Sequence, residues 1–254
     1  MPTQKNLTTN SYWVNNWKGL KIPVPENLKS YSRFRLNKIF QTYLPHGKLK
    51  ILEVGCCPGT WLHYFNKFFG YLVSGVEYTK NGYDYTNVNL RALNLTADIR
   101  NEDILKTTFK KESFDLVFSH GIIEHFKDPT EMINAHLNLL KKGGYLIIGV
   151  PNVGSKFYGP IQRFLSKDIY NSHVVVTREW LNKKLNRTDL KKVYCDYSGV
   201  FNLFLLNLTN QNKILKLIQE VLGMLFNKIL HILKINKESA FFSPYVYYIG
   251  VKKK

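Results

Sequence analysis

The sequence predicts an α/β protein built on a parallel sheet with helices on both faces. Two observations carry this. Short apolar runs recur along residues 48–152, and each is followed by a stretch of helical periodicity. The spacing is too close for separate hairpins and suits strand–helix–strand crossovers. A third observation bounds the size: 254 residues with 44% hydrophobic content suffice for one large domain with an elaborated end.

The elements follow in order. "SYSRFRLNKIFQTYL", residues 30–44, places Tyr31, Phe34, Ile39, Phe40 and Tyr43 at helical spacing. "KLKILEV" reads as a buried strand, and 55–59 as a turn. "TWLHYFNKFFG" reads as a helix stopped at Gly70. "YLVSGVEY" is a second strand, "TNVNLRALN" a short helix, and "LTADIR" a third strand. "FDLVFSH" is a fourth strand, "TEMINAHLNLLKKGG" a helix closed by glycines, and "YLIIGVP" a fifth strand stopped by Pro151. Beyond Pro151, "TREWLNKKLNRTDL" reads as a helix capped by Thr177, and "KKVYCDY" as a strand. Residues 212–235 read as one amphipathic helix or two, and "PYVYYIGVKK" as a final strand. The closing lysines, 252–254, read as a solvated tail.

Charge is unevenly spread. The net charge is +18, yet residues 51–150 carry ten basic and eleven acidic side chains. Residues 1–50 carry nine and one, and residues 151–254 seventeen and six. Such basic flanks either form a plain solvated surface or attract an acidic substrate, an anionic membrane or nucleic acid. Three cysteines, two of them adjacent, fit neither a disulfide framework nor a structural zinc spacing. The first residues lack the apolar core of a signal peptide, and 201–235 is too often broken by charge to span a membrane. The expected location is cytoplasmic, peripheral at the inner face of the membrane if 212–235 lies on its surface.

The turn "ILEVGCCPGTW" is the chemical signal. A dinucleotide fingerprint needs glycines at 55, 57 and 60, but 57 and 60 are Cys and Thr. A phosphate-binding loop would need a Lys after Gly59. Glu53 beside the turn would repel a pyrophosphate and suits a cationic group. Glu77 ends the adjacent strand, where it can accept bonds from a ribose diol. Asp103 follows the third strand, where it can accept from an adenine amino group while Ile104 packs on the ring. Amine, ribose and adenine together describe S-adenosylmethionine.

These motifs resemble, in order, those of the class I S-adenosylmethionine-dependent methyltransferases. "ILEVGCCPGTW" resembles their E/D-x-G-x-G-x-G motif and "VSGVEY" their second acidic motif. "NEDILKTTFKKESFDLVFSHGIIEHFKDP" and "LLKKGGYLIIGVPN" resemble the adenine acid with the fourth strand and the entry to the fifth. The resemblance covers residues 48–152. It implies a Rossmann-like, seven-stranded sheet with an antiparallel last strand, spanning 48–254 with a helical insertion at 201–235. Residues 1–47 then form a helical or lid segment bearing Tyr12, Trp13 and Trp17. It also implies a cofactor site at Glu53, Gly55, Cys56, Cys57, Gly59, Glu77, Tyr78, Asp103, Ile104 and His120. Two departures are present. The first acid is Glu53 rather than Asp, a minor change in reach, and Cys57 replaces a glycine, where it either fits as a small side chain or strains the turn.

"IIEH" further resembles a segment of ubiquinone-pathway O-methyltransferases and small-RNA 2′-O-methyltransferases. Glu124 and His125 are therefore the catalytic candidates, with His173 a weaker one. In those enzymes a Glu three positions earlier helps bind a divalent metal. That position here is Gly121, so no metal is expected. The expected activity is O- or N-methylation of a small-molecule acceptor, anionic and glycan- or lipid-linked. The alternative is an RNA or protein methyltransferase using the basic flanks. Against nucleic acid stand the lack of an RNA-binding module and the absence of N/D-P-P-Y/F after the fourth strand. Oligomeric state is not legible.

Overall fold

A computed structural model describes residues 7–17, 19, 21–206 and 213–254. Residues 1–6, 18 and 20 of the expected lid segment, and 207–212 of the expected helical insertion, lie outside the described residues. Seven strands form one sheet: β1 (Lys50–Val54), β2 (Leu72–Glu77), β3 (Asp98–Asn101), β4 (Phe114–His120), β5 (Leu140–Pro151), β6 (Leu190–Ser198) and β7 (Tyr245–Lys252). Their order is β3-β2-β1-β4-β5-β7-β6. Only β7 runs antiparallel to its neighbours, as the resemblance implies.

The helices are α1 (Asn10–Trp17), α2 (Tyr31–Tyr43), α3 (Thr60–Phe69), α4 (Lys80–Ala92), α5 (Thr130–Leu139), α6 (Tyr158–Leu165), α7 (Lys167–Asn171), α8 (Arg178–Lys184) and α9 (Lys213–Leu233). Alternation along the strands explains the two layers. Leu52, Val54, Val117, Val246 and Tyr248 point into one core with Ile133 of α5 and Leu181 of α8. Ile51, Leu116, Phe118, Tyr247 and Ile249 point into the other with Phe40 of α2 and Phe65 of α3. Both faces are covered, so the strands read as continuous apolar runs. Burying a side chain such as Phe118 contributes about 1.5–3 kcal/mol.

Three expectations are corrected here. The helix over "TEMINAHLNLLKKGG" stops at Leu139, because Leu140 is already extended and pairs with Phe114 of β4. A register irregularity between Phe114 and Leu116 absorbs the transition. Lys252 is also not part of a solvated tail. It ends β7, and its ammonium donates to Glu112 Oε1 and to the carbonyls of Leu137 and Leu140 at the carboxyl end of α5. "TNVNLRALN" proves to be the second half of a longer helix, α4, whose start is capped by Thr79 accepting from Gly82 N–H. Thr177 caps α8 as expected, accepting from Trp180 N–H.

Candidate active site

The carboxyl ends of β1, β2 and β4 surround a cavity of about 410 Å³, within the range of small-molecule sites. The strands deliver Val54, Gly55, Val76 and Glu77 to it. The loop after β3 delivers Glu102, Asp103, Ile104 and Leu105, and the segment after β4 delivers Ile122, His125 and Phe126. Thr8, Thr9, Asn10, Trp13 and Trp17 close the top, so α1 forms the roof. Leu7 N–H donates to His125 O at 2.7 Å and ties that roof to the floor.

The cavity's electrostatics are opposite to those of the whole chain. Among the described residues three acids, Glu77, Glu102 and Asp103, line it, and neither Lys nor Arg does. Glu77 is the hub of the turn. Its Oε1 accepts from Thr79 N–H and the Thr79 hydroxyl at 3.0 and 2.9 Å, and its Oε2 accepts from Cys57 N–H at 3.3 Å. Burial raises its carboxyl above the ordinary range, and those three bonds oppose the shift. Asp103 Oδ1 accepts from Leu105 N–H, which fixes the carboxylate at the start of a 3₁₀ turn.

Gly55 adopts φ +70°, and a Cβ there would lie 2.3 Å from Ile122 Cδ1. Only glycine keeps this corner open for a ligand. Gly59, at φ +91°, opens α3 in the left-handed region but does not line the cavity.

The structure places the remaining sequence candidates as follows. Tyr78 and Ile104 line the cavity. Glu53 lies beneath it, only 3% exposed, bonded to the Leu62 amide with Oε2 lacking a partner among the described residues. Burial pushes its carboxyl well above the usual range, against the pull of Arg33. Cys56 points away into the core, where its Sγ fills the space a Gly75 side chain would take. His120 is held outside the cavity lining, its Nδ1 2.7 Å from the Tyr247 hydroxyl and its ring near Trp61 and Tyr245. Burial lowers His120 to about 3, so it is neutral.

Cys57 settles one of the two departures. Among the described residues the non-glycine positive φ angles belong to Asn94, Glu112 and Lys234, so Cys57 has ordinary backbone. Its thiol is buried and pushed up by burial and by Glu77. Both Cys56 and Cys57 are free thiols. Cys57→Gly is therefore expected to raise cofactor affinity by no more than about twofold and to cost about 0.5–1 kcal/mol of stability, from added chain freedom. Calorimetry and thermal melts check both.

Beside the cavity, Glu124, His125 and His173 converge, their ligand-capable atoms within 4.8 Å of one another. They are the group among the described residues that could hold a metal ion. Glu124 is 1% exposed, and both its oxygens lack a hydrogen-bond partner among the described residues. His125 Nδ1 lies 2.7 Å from Ser172 O, and His173 Nδ1 lies 2.5 Å from Ile169 O. Each Nδ1–H donates to its carbonyl, which leaves each Nε2 as a lone-pair site. Burial, followed by the neighbouring His173, lowers His125 to about 3. Sequence reasoning gave His173 little weight and left Thr8, Ile122 and Met132 unnoticed, since nothing local marks them for this cavity.

Burial pushes Glu124 up to about 8. Between its ordinary value of 4.5 and that value, the folded protein keeps a proton that the unfolded chain has released. Its contribution to stability is thus greatest at low pH and is lost as pH rises through about 8. Glu124→Gln keeps the neutral form at all pH. Melting in a chelator should show the variant gaining on the native protein between pH 5 and pH 8.5, as an order of magnitude by several degrees. Parallel melting curves would contradict this.

Comparison with known proteins agrees with this geometry. Residues 52–148 match the family model of a methyltransferase domain. A ubiquinone biosynthesis O-methyltransferase of Cereibacter sphaeroides is 26% identical over 167 residues, covering 63% of this chain and 66% of the relative, just under two thirds of its length. One from Coxiella burnetii is 30% identical over 124 residues, covering 49% and 52%. Among solved structures, a geranyl diphosphate C-methyltransferase of Streptomyces coelicolor superposes with a TM-score of 0.61 at 14% identity, covering 96% of this chain and 98% of that one. A phosphoethanolamine N-methyltransferase of Haemonchus contortus gives 0.58 at 18%, covering 86% and 52%. At these identities the structural likeness is one of fold. The seven-stranded order, the four motifs in sequence and the family model agree that residues 52–148 carry a methyltransferase domain, on a fold shared with S-adenosylmethionine-dependent methyltransferases.

Proposed function

We propose that this protein binds S-adenosylmethionine and methylates a hydroxyl on a small, largely apolar acceptor, glycan- or lipid-linked, at a membrane surface. The observation that carries the reading is a cavity that, among the described residues, is lined by acids and by no Lys or Arg, in a chain of net charge +18. Such a lining favours a cationic ligand and disfavours a nucleotide pyrophosphate. The fit holds on this chain's own atoms: Gly55 keeps the corner open, Glu77 and Asp103 stand at adjoining strand ends, and Ile104 and Ile122 offer apolar surface. The cofactor supplies a methyl group already activated on a sulfonium, so positioning carries much of the catalysis.

His125 is the proposed base. Its Nδ1–H is held by the Ser172 carbonyl, so Nε2 keeps its lone pair at the cavity wall, ready to take a hydroxyl proton. Glu124 Oε1 lies 3.9 Å from that Nε2, and the imidazolium formed once the proton has moved draws this carboxyl, which burial keeps protonated up to about pH 8, toward its charged form. Trp13, Trp17 and Phe126 exclude water and receive apolar acceptor surface. The same acidic lining counts against an anionic group seated inside this cavity. α1 acts as the lid, opening to admit the acceptor.

A second reading is favoured by one observation. His173 supplies a third donor where the resembling enzymes use the position held here by Gly121. Glu124, His125 and His173 would then hold a divalent cation that orients the acceptor oxygen. Methyl transfer unchanged in chelator supports the metal-free base. Transfer lost in chelator and restored by a divalent metal supports the second reading.

The test of the function is labelled-methyl transfer to cell extract separated into lipid, glycan, RNA and protein. Label in lipid or glycan supports the proposal. Label in RNA, with binding that weakens steeply in salt, would replace it with the nucleic-acid alternative.

A further inference from the structure

The last helix packs inside out. A surface helix ordinarily turns its apolar stripe inward. In α9 the inward positions include Gln219, Gly223 and Asn227. Gln219 donates to Leu203 O at 2.6 Å, and Asn227 accepts from Tyr31 N–H and donates to Lys29 O at 2.6 and 2.8 Å. The Phe204 ring lies against Gly223, where a Cβ would come within 2.9 Å of it. The outward stripe, Ile214, Ile218, Val221, Leu225, Ile229 and Ile232, follows helical spacing and is 42% to 67% exposed. These polar contacts, with Leu230 packed among Tyr31 and Val200, hold this helix to the protein, and its broad apolar stripe is left outward.

Two neighbouring features extend the surface. Phe226 leads through Phe201 and Phe242 to Phe241, with successive ring centroids 5.0, 6.0 and 4.5 Å apart, and both Phe241 and Phe242 are 43% exposed. Exposed Lys228 borders the stripe, and exposed Lys216 on the helix and Lys234 and Lys237 just beyond it add positive charge against the single acid Glu220 on the helix. No helix among the described residues is long and apolar enough to cross a membrane.

We propose that α9 lies in the plane of a lipid bilayer carrying anionic headgroups, with its isoleucine and leucine stripe in the acyl boundary and its lysines among the headgroups. An exposed apolar stripe beside Lys228, in a carboxyl-terminal part of the chain with seventeen basic and six acidic residues, matches that interface on both counts, and the lysine stem reaches along it to the polar layer. A second copy is a poorer match. Pairing the stripe with itself sets Lys228 near its equivalent and joins two chains of net charge +18. The helix precedes β7, whose first residue Tyr245 packs against His120 at the end of β4. It therefore joins the sheet at the edge that carries the cavity. This inference rests on the peripheral placement proposed above and is independent of the methyl-transfer chemistry.

The experiment is co-sedimentation of the full chain with vesicles of phosphatidylcholine alone, or with about one third phosphatidylglycerol. Binding is expected on the anionic vesicles and should weaken in salt. Ile218→Glu combined with Leu225→Glu should reduce partitioning at least about tenfold. Both side chains face outward, so melting and S-adenosylmethionine binding should be unchanged; the latter reports on the cofactor reading separately. Lys228→Glu should lower the preference for anionic over neutral vesicles. Equal sedimentation of native protein and double variant would overturn the proposal. So would no vesicle binding together with a concentration-dependent dimer that the double variant dissolves, which would make the face a contact between copies.

Discussion

Gly55→Val is expected to abolish measurable cofactor binding while the protein remains folded. Position 55 sits at φ +70°, where an L side chain carries strain of roughly 1–3 kcal/mol. Its Cβ would fall 2.3 Å from Ile122 Cδ1, so Ile122 must turn away or the turn must shift. Both residues line the cavity, so either response occupies or distorts it. The Gly55 amide also donates to Val76 O at 2.8 Å, which couples the turn to the end of β2 and hence to Glu77. Strain and lost volume together predict at least about a hundredfold loss of affinity, with a melting temperature lowered by some degrees. Gly55→Ala should fall between the two. Titration calorimetry beside thermal melts measures both, and a valine variant that binds normally would remove the turn from the site.

His125→Ala is expected to lower the methyl-transfer rate about 10²–10⁴-fold with cofactor affinity changed by less than about threefold. The loss follows from the proposed role of Nε2 as the base, its lone pair kept because Nδ1–H is held by Ser172 O in a residue that lines the cavity. A structural role is a real alternative, since the His125 ring also packs edge-on to Trp13 at 4.9 Å. The two separate cleanly. A missing base leaves a space that added imidazole can fill and rescue, whereas a collapsed lid raises KM and does not respond. With His125 lowered to about 3, the base stays neutral well into acid, so the native rate should show no loss near the ordinary histidine value of 6.5.

The sheet was legible because its strands are buried on both faces and therefore stand out as apolar runs. "FDLVFSH" is found at its predicted bounds, "YLVSGVEY" shortens by one residue at each end, and "KLKILEV" begins two residues later than predicted. The end of α5 was not legible, because "LNLLKKGG" continues the helical pattern while Leu140 is drawn into the strand by pairing with Phe114. In the site, Glu77, Asp103 and Ile104 were readable since each stands at a strand end in chain order. Glu53 is part of the same motif, yet its side chain is spent beneath the turn on the Leu62 amide. The roof from Thr8 to Trp17 and the approach of His173 to Glu124 are tertiary events. Neither segment carries a local pattern that names its partner. α9 shows the limit most plainly. Its amphipathic period was readable, but the period alone does not say which face turns inward, and here the polar side does.

The central claim is that the acidic cavity holds S-adenosylmethionine. Calorimetric titration of the pure folded protein tests it most directly, with Glu77→Gln in parallel. That change keeps the side chain's shape and some of its bonds to Thr79 and Cys57 while removing the charge. One-to-one binding by the native chain, weakened at least about tenfold in Glu77→Gln, is the predicted result. No binding by the folded native protein, or equal binding by both, would contradict it.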